Sequence, residues 1–240
     1  MLVIAHRGAS GHAPENTMAS FRLALDMGAK AIEFDVHQTL DHELVVAHDD
    51  DLKRCGGGDK RRMKNIHWED EAEKIDVGSW FDKRFAGERL PRLDDVYDLV
   101  PPSVELHLEI KHGSSVYPGI EERVVDLIHH RGGLRRTLVS SFDHEALYSV
   151  RSLDEKVRLG YLLGLNTLKT AFKEMKELSA ESLNMSARQV TARAVKGAHD
   201  RGFKVYVYTV NAPLERDRLN ALGVDGIFCN YPELDLWGRL

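Results

Sequence analysis

The chain has 240 residues, with 33 Lys and Arg against 38 Asp and Glu, a net charge of −5, and 42% apolar residues. That length fits one large domain or two small ones, and the apolar share excludes general disorder. The mild acidity argues against a nucleic-acid partner held by bulk positive charge.

From the N-terminus, residues 2–5 read as a buried strand. This apolar opening is too short for the core of a secretory signal, and no basic segment precedes it. No later stretch reaches the roughly 18 apolar residues of a membrane span. The expectation is a soluble, cytoplasmic protein with no transmembrane segment. Two widely separated cysteines, Cys55 and Cys229, exclude a disulfide framework, and two reduced thiols are a simpler reading than one bridge. Residues 17–27 have helical spacing, with Phe21 and Leu25 on its face and Gly28 at its end. Asn16, immediately before the helical pattern, is the expected N-cap.

Residues 31–36 form the second predicted strand. Residues 44–48 follow too closely for a parallel crossover, which needs roughly a dozen residues or more, so they return as an antiparallel hairpin. An insertion at roughly 49–90 then reads as a cap beside the barrel mouth, with 76–81 packing back onto the body. Further strands are predicted at 104–111, 137–141, 158–162, 182–186, 204–210 and 226–230, with helix-compatible segments at 119–130, 144–153 and 192–201. Strand–helix alternation implies a parallel sheet. Eight units in one domain, 1–240, fit a (β/α)8 TIM-type barrel, which typically needs ~250 residues.

Two strands alternate in an unusual way. In Ile32-Glu33-Phe34-Asp35-Val36 and in Leu106-His107-Leu108-Glu109-Ile110-Lys111, apolar residues share one face and charged residues the other. Barrel interiors are normally apolar, so Glu33, Asp35, Glu109 and Lys111 would point inward near the strand ends. Converging carboxylates are costly to bury unpaired, and a hard divalent cation relieves that cost. An all-oxygen set suits Mg²⁺ or Ca²⁺ better than zinc. A structural salt-bridge cluster, with Lys111 and Arg7 neutralising the acids, is the alternative. His6 ends the first strand and His48 ends the hairpin. An imidazole titrating near pKa ~6.5 suits general acid and base work. Arg7 offers a planar fork for an anion.

His6-Arg7-Gly8, Pro14-Glu15-Asn16-Thr17, Glu33-Phe34-Asp35-Val36, His48-Asp49 and Glu109-Ile110-Lys111 together resemble the glycerophosphodiester phosphodiesterases. Gly78-Ser79-Trp80-Phe81, Ser140-Ser141-Phe142-Asp143, Thr209-Val210-Asn211 and Gly223-Val224-Asp225-Gly226-Ile227 extend the similarity along essentially the whole chain. The resemblance implies a TIM-type barrel with an inserted cap. It also implies hydrolysis of a small-molecule glycerophosphodiester to sn-glycerol 3-phosphate and an alcohol. His6 and His48 would be the acid–base pair. Glu33, Asp35 and Glu109 would bind one divalent cation, Mg²⁺ or Ca²⁺, with Mn²⁺ as a third candidate. Arg7 and Lys111 would contact the phosphate. Tyr208 stands where the family commonly has Trp and would form an aromatic wall for the glycerol carbons. Cys55-Gly56-Gly57-Gly58 and Arg92 also depart from the family pattern, which bears on cap shape and leaving-group preference. The nucleophile is left open between water and the substrate's own glycerol hydroxyl, as is the choice of acid and base. The same chemistry on lysophospholipids and a non-catalytic anion-binding barrel are the competing functions.

Overall fold

The structure is a computed structural model and is described here for residues 1–235. Its sheet strands are β1 (Leu2–His6), β2 (Ala31–Gln38), β3 (Leu44–Val46), β4 (Glu105–Ile110), β5 (Thr137–Ser141), β6 (Arg158–Leu162), β7 (Ser182–Ser186), β8 (Lys204–Tyr208) and β9 (Gly226–Cys229). β1 is parallel to both β2 and β9, so the sheet closes on itself. Eight strands form that parallel ring, and β3 lies outside it, antiparallel to β2 with Val46 opposite Val36. The short link between β2 and β3 permits only a hairpin, and the predicted barrel with its excursion is the observed architecture.

The surrounding helices are α1 (Met18–Asp26), α2 (Leu93–Leu99), α3 (Ile120–His130), α4 (His144–Leu153), α5 (Leu168–Glu177), α6 (Ala192–His199) and α7 (Pro213–Ala221). β2 is buried along its whole length. Ile32, Phe34 and Val36 join the main core with Phe21 and Ala24 of α1, and the Phe21 and Phe34 rings meet edge-on at 6.0 Å. The intervening Glu33 and Asp35 are thereby turned towards the barrel axis. Both cysteines are free thiols, and no helix among the described residues is long and apolar enough to cross a membrane.

Thr17, not Asn16, is the N-cap of α1. Its hydroxyl accepts from the Ser20 N–H at 3.2 Å, and the Ser20 hydroxyl accepts from the Thr17 N–H at 3.3 Å. Asn and Thr are both good caps. The choice is made by Asp35, which draws the Asn16 amide into the barrel end instead.

Between β3 and α2 the chain makes short 3₁₀ turns at Met63–Asn65, Ala72–Lys74 and Lys83–Phe85. Leu52, Met63, Ile66, Val77 and Leu90 form a second small core there against Val45 and Ala47. The Asp76 carboxylate accepts N–H bonds from Gly78, Ser79 and Gly87, which knots the segment. Trp80 donates Nε1–H to the Val77 carbonyl at 2.8 Å, and its ring packs edge-on against Phe81. Both aromatic residues are thus engaged in cap packing. The Glu88 carboxylate accepts from the Ala19 N–H at 3.2 Å and ties the insertion to α1.

Candidate active site

The C-terminal strand ends surround a cavity of about 230 Å³. Its polar side carries His6, Arg7, Glu33, His48, Glu109 and Lys111, and its apolar side Phe142, Leu162, Tyr208 and Phe228. Strand register explains the grouping. His6 on β1 lies opposite Glu33 on β2, and Asp35 lies opposite Glu109 on β4. Immediately after β1, Arg7 and Gly8 turn with φ of 56° and 79°. A side chain at Gly8 would meet the Ser20 backbone at 2.7 Å, so the close approach requires glycine. This turn aims the Arg7 N–H at Glu33 Oε2, 3.0 Å away.

One carboxylate oxygen from each of Glu33, Asp35 and Glu109 lies within 4.8 Å of the others, and all three residues are buried. Two cations face these three acids. Lys111 Nζ stands 2.9 Å from Glu109 Oε1 and 3.4 Å from Asp35 Oδ1. Arg7 Nε stands 3.2 Å from Asp35 Oδ2. Burial alone pushes the Asp35 carboxyl up, but Lys111 and Arg7 outweigh it and hold the group well below the usual carboxylate range. Burial and then the Asp35 charge push Glu109 up to about 7 and Glu33 well above its ordinary value. The acids are therefore one positive charge short. Asp35 Oδ1 and Glu109 Oε1 are buried with no hydrogen bond of acceptable geometry among the described residues, their contacts to Lys111 being ion pairs only. Converging buried carboxylate oxygens and a charge deficit fit a hard divalent cation. The salt-bridge alternative supplies two cations for three carboxylates and leaves the deficit of one charge.

Each histidine is oriented through Nδ1. His6 donates Nδ1–H to Asn230 Oδ1 at 2.8 Å, which leaves Nε2 facing the site, 3.9 Å from Glu33. Burial, and then Arg7, lower the His6 pKa to about 4. His48 donates Nδ1–H to Asp49 Oδ1 at 2.7 Å. Arg54 holds Asp49 through Nε at 2.7 Å and clasps both oxygens of Glu15 at 2.9 and 2.7 Å. Glu15 in turn accepts from Arg7 Nη1 at 2.9 Å. One ion-pair chain thus runs from His48 across the insertion to Arg7. Beneath it, the buried His37 donates Nε2–H to the His48 carbonyl at 3.2 Å while its Nδ1 accepts from the Tyr117 hydroxyl at 2.7 Å.

The structure brings together all eight residues expected from the sequence: His6, His48, Glu33, Asp35, Glu109, Arg7, Lys111 and Tyr208. The Tyr208 ring lies edge-on to Phe142 at 6.1 Å and 6.4 Å from Phe228, forming an aromatic wall. Asn230, Arg54 and His37 were not anticipated. Asn230 and Arg54 reach the site only through contacts 224 and 39 residues apart in the chain. His37 alone carried a signal, since it continues the inward alternation of Glu33 and Asp35. A larger open groove of about 860 Å³ runs along the outer flank between the insertion and α2. It contains Glu43, Glu69, Glu73 and Glu88 but no histidine, and volume there does not locate the chemistry.

The profile of the glycerophosphoryl diester phosphodiesterase family matches residues 6–234. The chain belongs to that family. It is 36% identical over 233 residues to a glycerophosphodiester phosphodiesterase of Caldanaerobacter subterraneus subsp. tengcongensis, covering 97% of this chain and 95% of that one. Among solved structures, a phosphodiesterase of Oleispira antarctica in complex with the product sn-glycerol-3-phosphate is similar with a TM-score of 0.85 and 30% identity. That match covers 97% of this chain and 94% of the other. A glycerophosphodiester phosphodiesterase of Agrobacterium tumefaciens matches with a TM-score of 0.85 and 28% identity over 98% of both chains. In this phosphodiesterase the buried acids supply a place for one divalent cation, beside two histidines that the fold holds by their Nδ1 atoms.

Proposed function

We propose that the protein hydrolyses small glycerophosphodiesters to sn-glycerol 3-phosphate and an alcohol, with His6 and His48 exchanging the protons. Glu33, Asp35 and Glu109 hold the cation, with Mg²⁺ or Ca²⁺ favoured by the all-oxygen donor set and Mn²⁺ also admitted. When bound, a divalent cation supplies Lewis-acid charge at a phosphoryl oxygen.

The residues divide the remaining work by geometry. Lys111 and Arg7 add fixed positive charge at the cavity wall, where the transferring phosphoryl group carries its negative charge. Asn230 offers His6 a neutral amide oxygen, which fixes the Nδ1–H tautomer and leaves Nε2 free to accept a proton from the attacking hydroxyl or water. Asp49 offers His48 a carboxylate, which orients the ring through Nδ1 and turns Nε2 towards the departing alkoxide oxygen as the proton donor. Tyr208 and Phe142 provide the flat apolar side against which the glycerol carbons rest.

The observation that carries this reading is the meeting, in one cavity of about 230 Å³, of two Nδ1-anchored histidines with three carboxylates that lack one positive charge. The test is release of sn-glycerol 3-phosphate from glycerophosphocholine and glycerophosphoethanolamine by chelated protein with Mg²⁺, Ca²⁺ or Mn²⁺ added back. Release restored by a metal and absent in chelator is the expected result. Folded protein that releases nothing with any of the three would overturn the reading.

A further inference from the structure

Leu165 and Leu214 are 105% and 85% exposed, the most exposed large apolar side chains among the described residues, and Phe142 is 44% exposed. All three follow the C-terminal ends of barrel strands, β6, β8 and β5 respectively, so they belong to the mouth face. The loops are connected. Gln189, in the loop after β7, donates to the Gly164 carbonyl at 2.8 Å. A side chain at Gly164 would meet the Phe142 ring at 3.3 Å. From Phe142 the apolar surface continues through Tyr208 and Phe228 into the cavity. Two leucines held out in water add nothing to folding.

The cations beside them are equally unsuited to stability. Lys169 and Arg193 occupy the first turns of α5 and α6, and Arg188 precedes α6. All three are exposed, and none forms an ion pair among the described residues. The first turns of α2, α3, α4 and α7 carry acids, as a helix dipole favours, whereas those of α1, α5 and α6 carry none, and of these three α5 and α6 carry Lys169 and Arg193. Between residues 163 and 201 there are seven Lys and Arg against four Asp and Glu, in a chain whose net charge is −5.

We propose that the β5–β8 side of the mouth docks on an anionic lipid surface, with Leu165 and Leu214 entering the acyl region and Lys169, Arg188 and Arg193 meeting the headgroups. Isolated aliphatic tips on a mouth face that also carries exposed, unpaired cations match the chemistry of a lipid interface. A protein partner of ordinary affinity needs a contiguous face of roughly 800 Å² with an apolar centre, which separated tips do not supply. Docked in this way, the cavity opens onto the surface instead of bulk water.

The test is co-sedimentation of the full chain with phosphatidylcholine vesicles, with and without phosphatidylglycerol. Binding to the mixed vesicles is expected, weakened by salt and weak on phosphatidylcholine alone. The double variant Leu165→Asp, Leu214→Asp should lose about tenfold or more of that binding. Lys169→Glu with Arg193→Glu should lose it as well. Neither pair lines the cavity, so both should keep their rate on soluble glycerophosphocholine. Absence of wild-type binding to mixed vesicles, or equal binding by the leucine variant, overturns the proposal. So does a concentration-dependent dimer that the leucine variant dissolves, because a second copy would then cover this face. The binding readout contains no substrate, so its failure is separate from failure of the hydrolytic reading.

Discussion

The two ends of the barrel use the same residue types to opposite effect. At the N-terminal end Arg158 grips both oxygens of Glu181 at 2.7 and 2.9 Å and reaches Glu105 at 3.1 Å, while Lys204 adds a 2.6 Å bond to Glu181. The Glu181 pKa falls to about 2, first through the Arg158 hydrogen bonds. At the C-terminal end burial and a neighbouring carboxylate push Glu109 up to about 7, and Lys111 is shared between Glu109 and Asp35. One end is an electrostatically complete clasp. The other is one positive charge short and can hold a cation. Charges on a barrel axis therefore do not by themselves indicate function; the unfilled balance does.

The largest effects should separate the two ends by readout. His6→Ala and His48→Ala should each lower turnover by about 10²–10⁴-fold with an unchanged far-ultraviolet spectrum and melting profile. Substantial activity in either purified variant removes that histidine from the mechanism. Arg54→Ala should come next. It releases Asp49 and Glu15 together, so the partners that orient His48 and Arg7 are no longer held, and kcat should fall by roughly 10–100-fold. Arg54→Lys restores one charge but not the two-sided fork and should recover only part of the rate.

Stability should change with opposite sign at the two ends. Removing a carboxylate from the under-neutralised mouth, as Glu33→Gln, should stabilise chelated protein by about 1–2 kcal/mol in urea titration. Removing one from the clasp, as Glu181→Gln, should cost about 1–2 kcal/mol, a figure already reduced for the solvent that reaches the pair. Glu181 titrates at about 2 when folded, against an ordinary 4.5. Between those values the unfolded chain binds more protons, so the stabilisation is complete above about pH 4.5 and lost as pH falls towards 2. The Gln variant should flatten that acid limb; an unchanged limb would contradict the clasp. The smallest effect belongs to Tyr208→Trp. It should alter relative rates across a panel of glycerophosphodiester headgroups by about two- to fivefold and leave metal titration unchanged. Identical relative rates would remove Tyr208 from substrate contact.

Much of this was legible because period two is strict in a strand. Alternation in β2 and β4 puts Glu33, Asp35 and Glu109 on one face, and the predicted barrel turns that face inward. The same alternation also turns His107 inward, yet that residue is core. It lies 5.5 Å from Tyr206 and 5.8 Å from Phe228, and burial lowers its pKa to about 3. Only depth along the axis separates His107 from Glu109, two residues nearer the strand end. Asn230 and Arg54 were hidden because ring closure and the folded insertion bring distant segments together. Helix α7 carries the weakest sequence signal, because Leu219 is its only buried residue and it has almost no apolar stripe to read.

The most direct measurement is calorimetric titration of chelated, folded protein with Mg²⁺, Ca²⁺ and Mn²⁺, alongside Glu33→Gln and Glu181→Gln. The predicted result is one divalent site in the wild type, retained by Glu181→Gln and weakened at least about tenfold by Glu33→Gln. A folded wild type that binds none of the three ions, or a Glu33→Gln isotherm superimposable on the wild type, would contradict the claim that the mouth acids are completed by a cation.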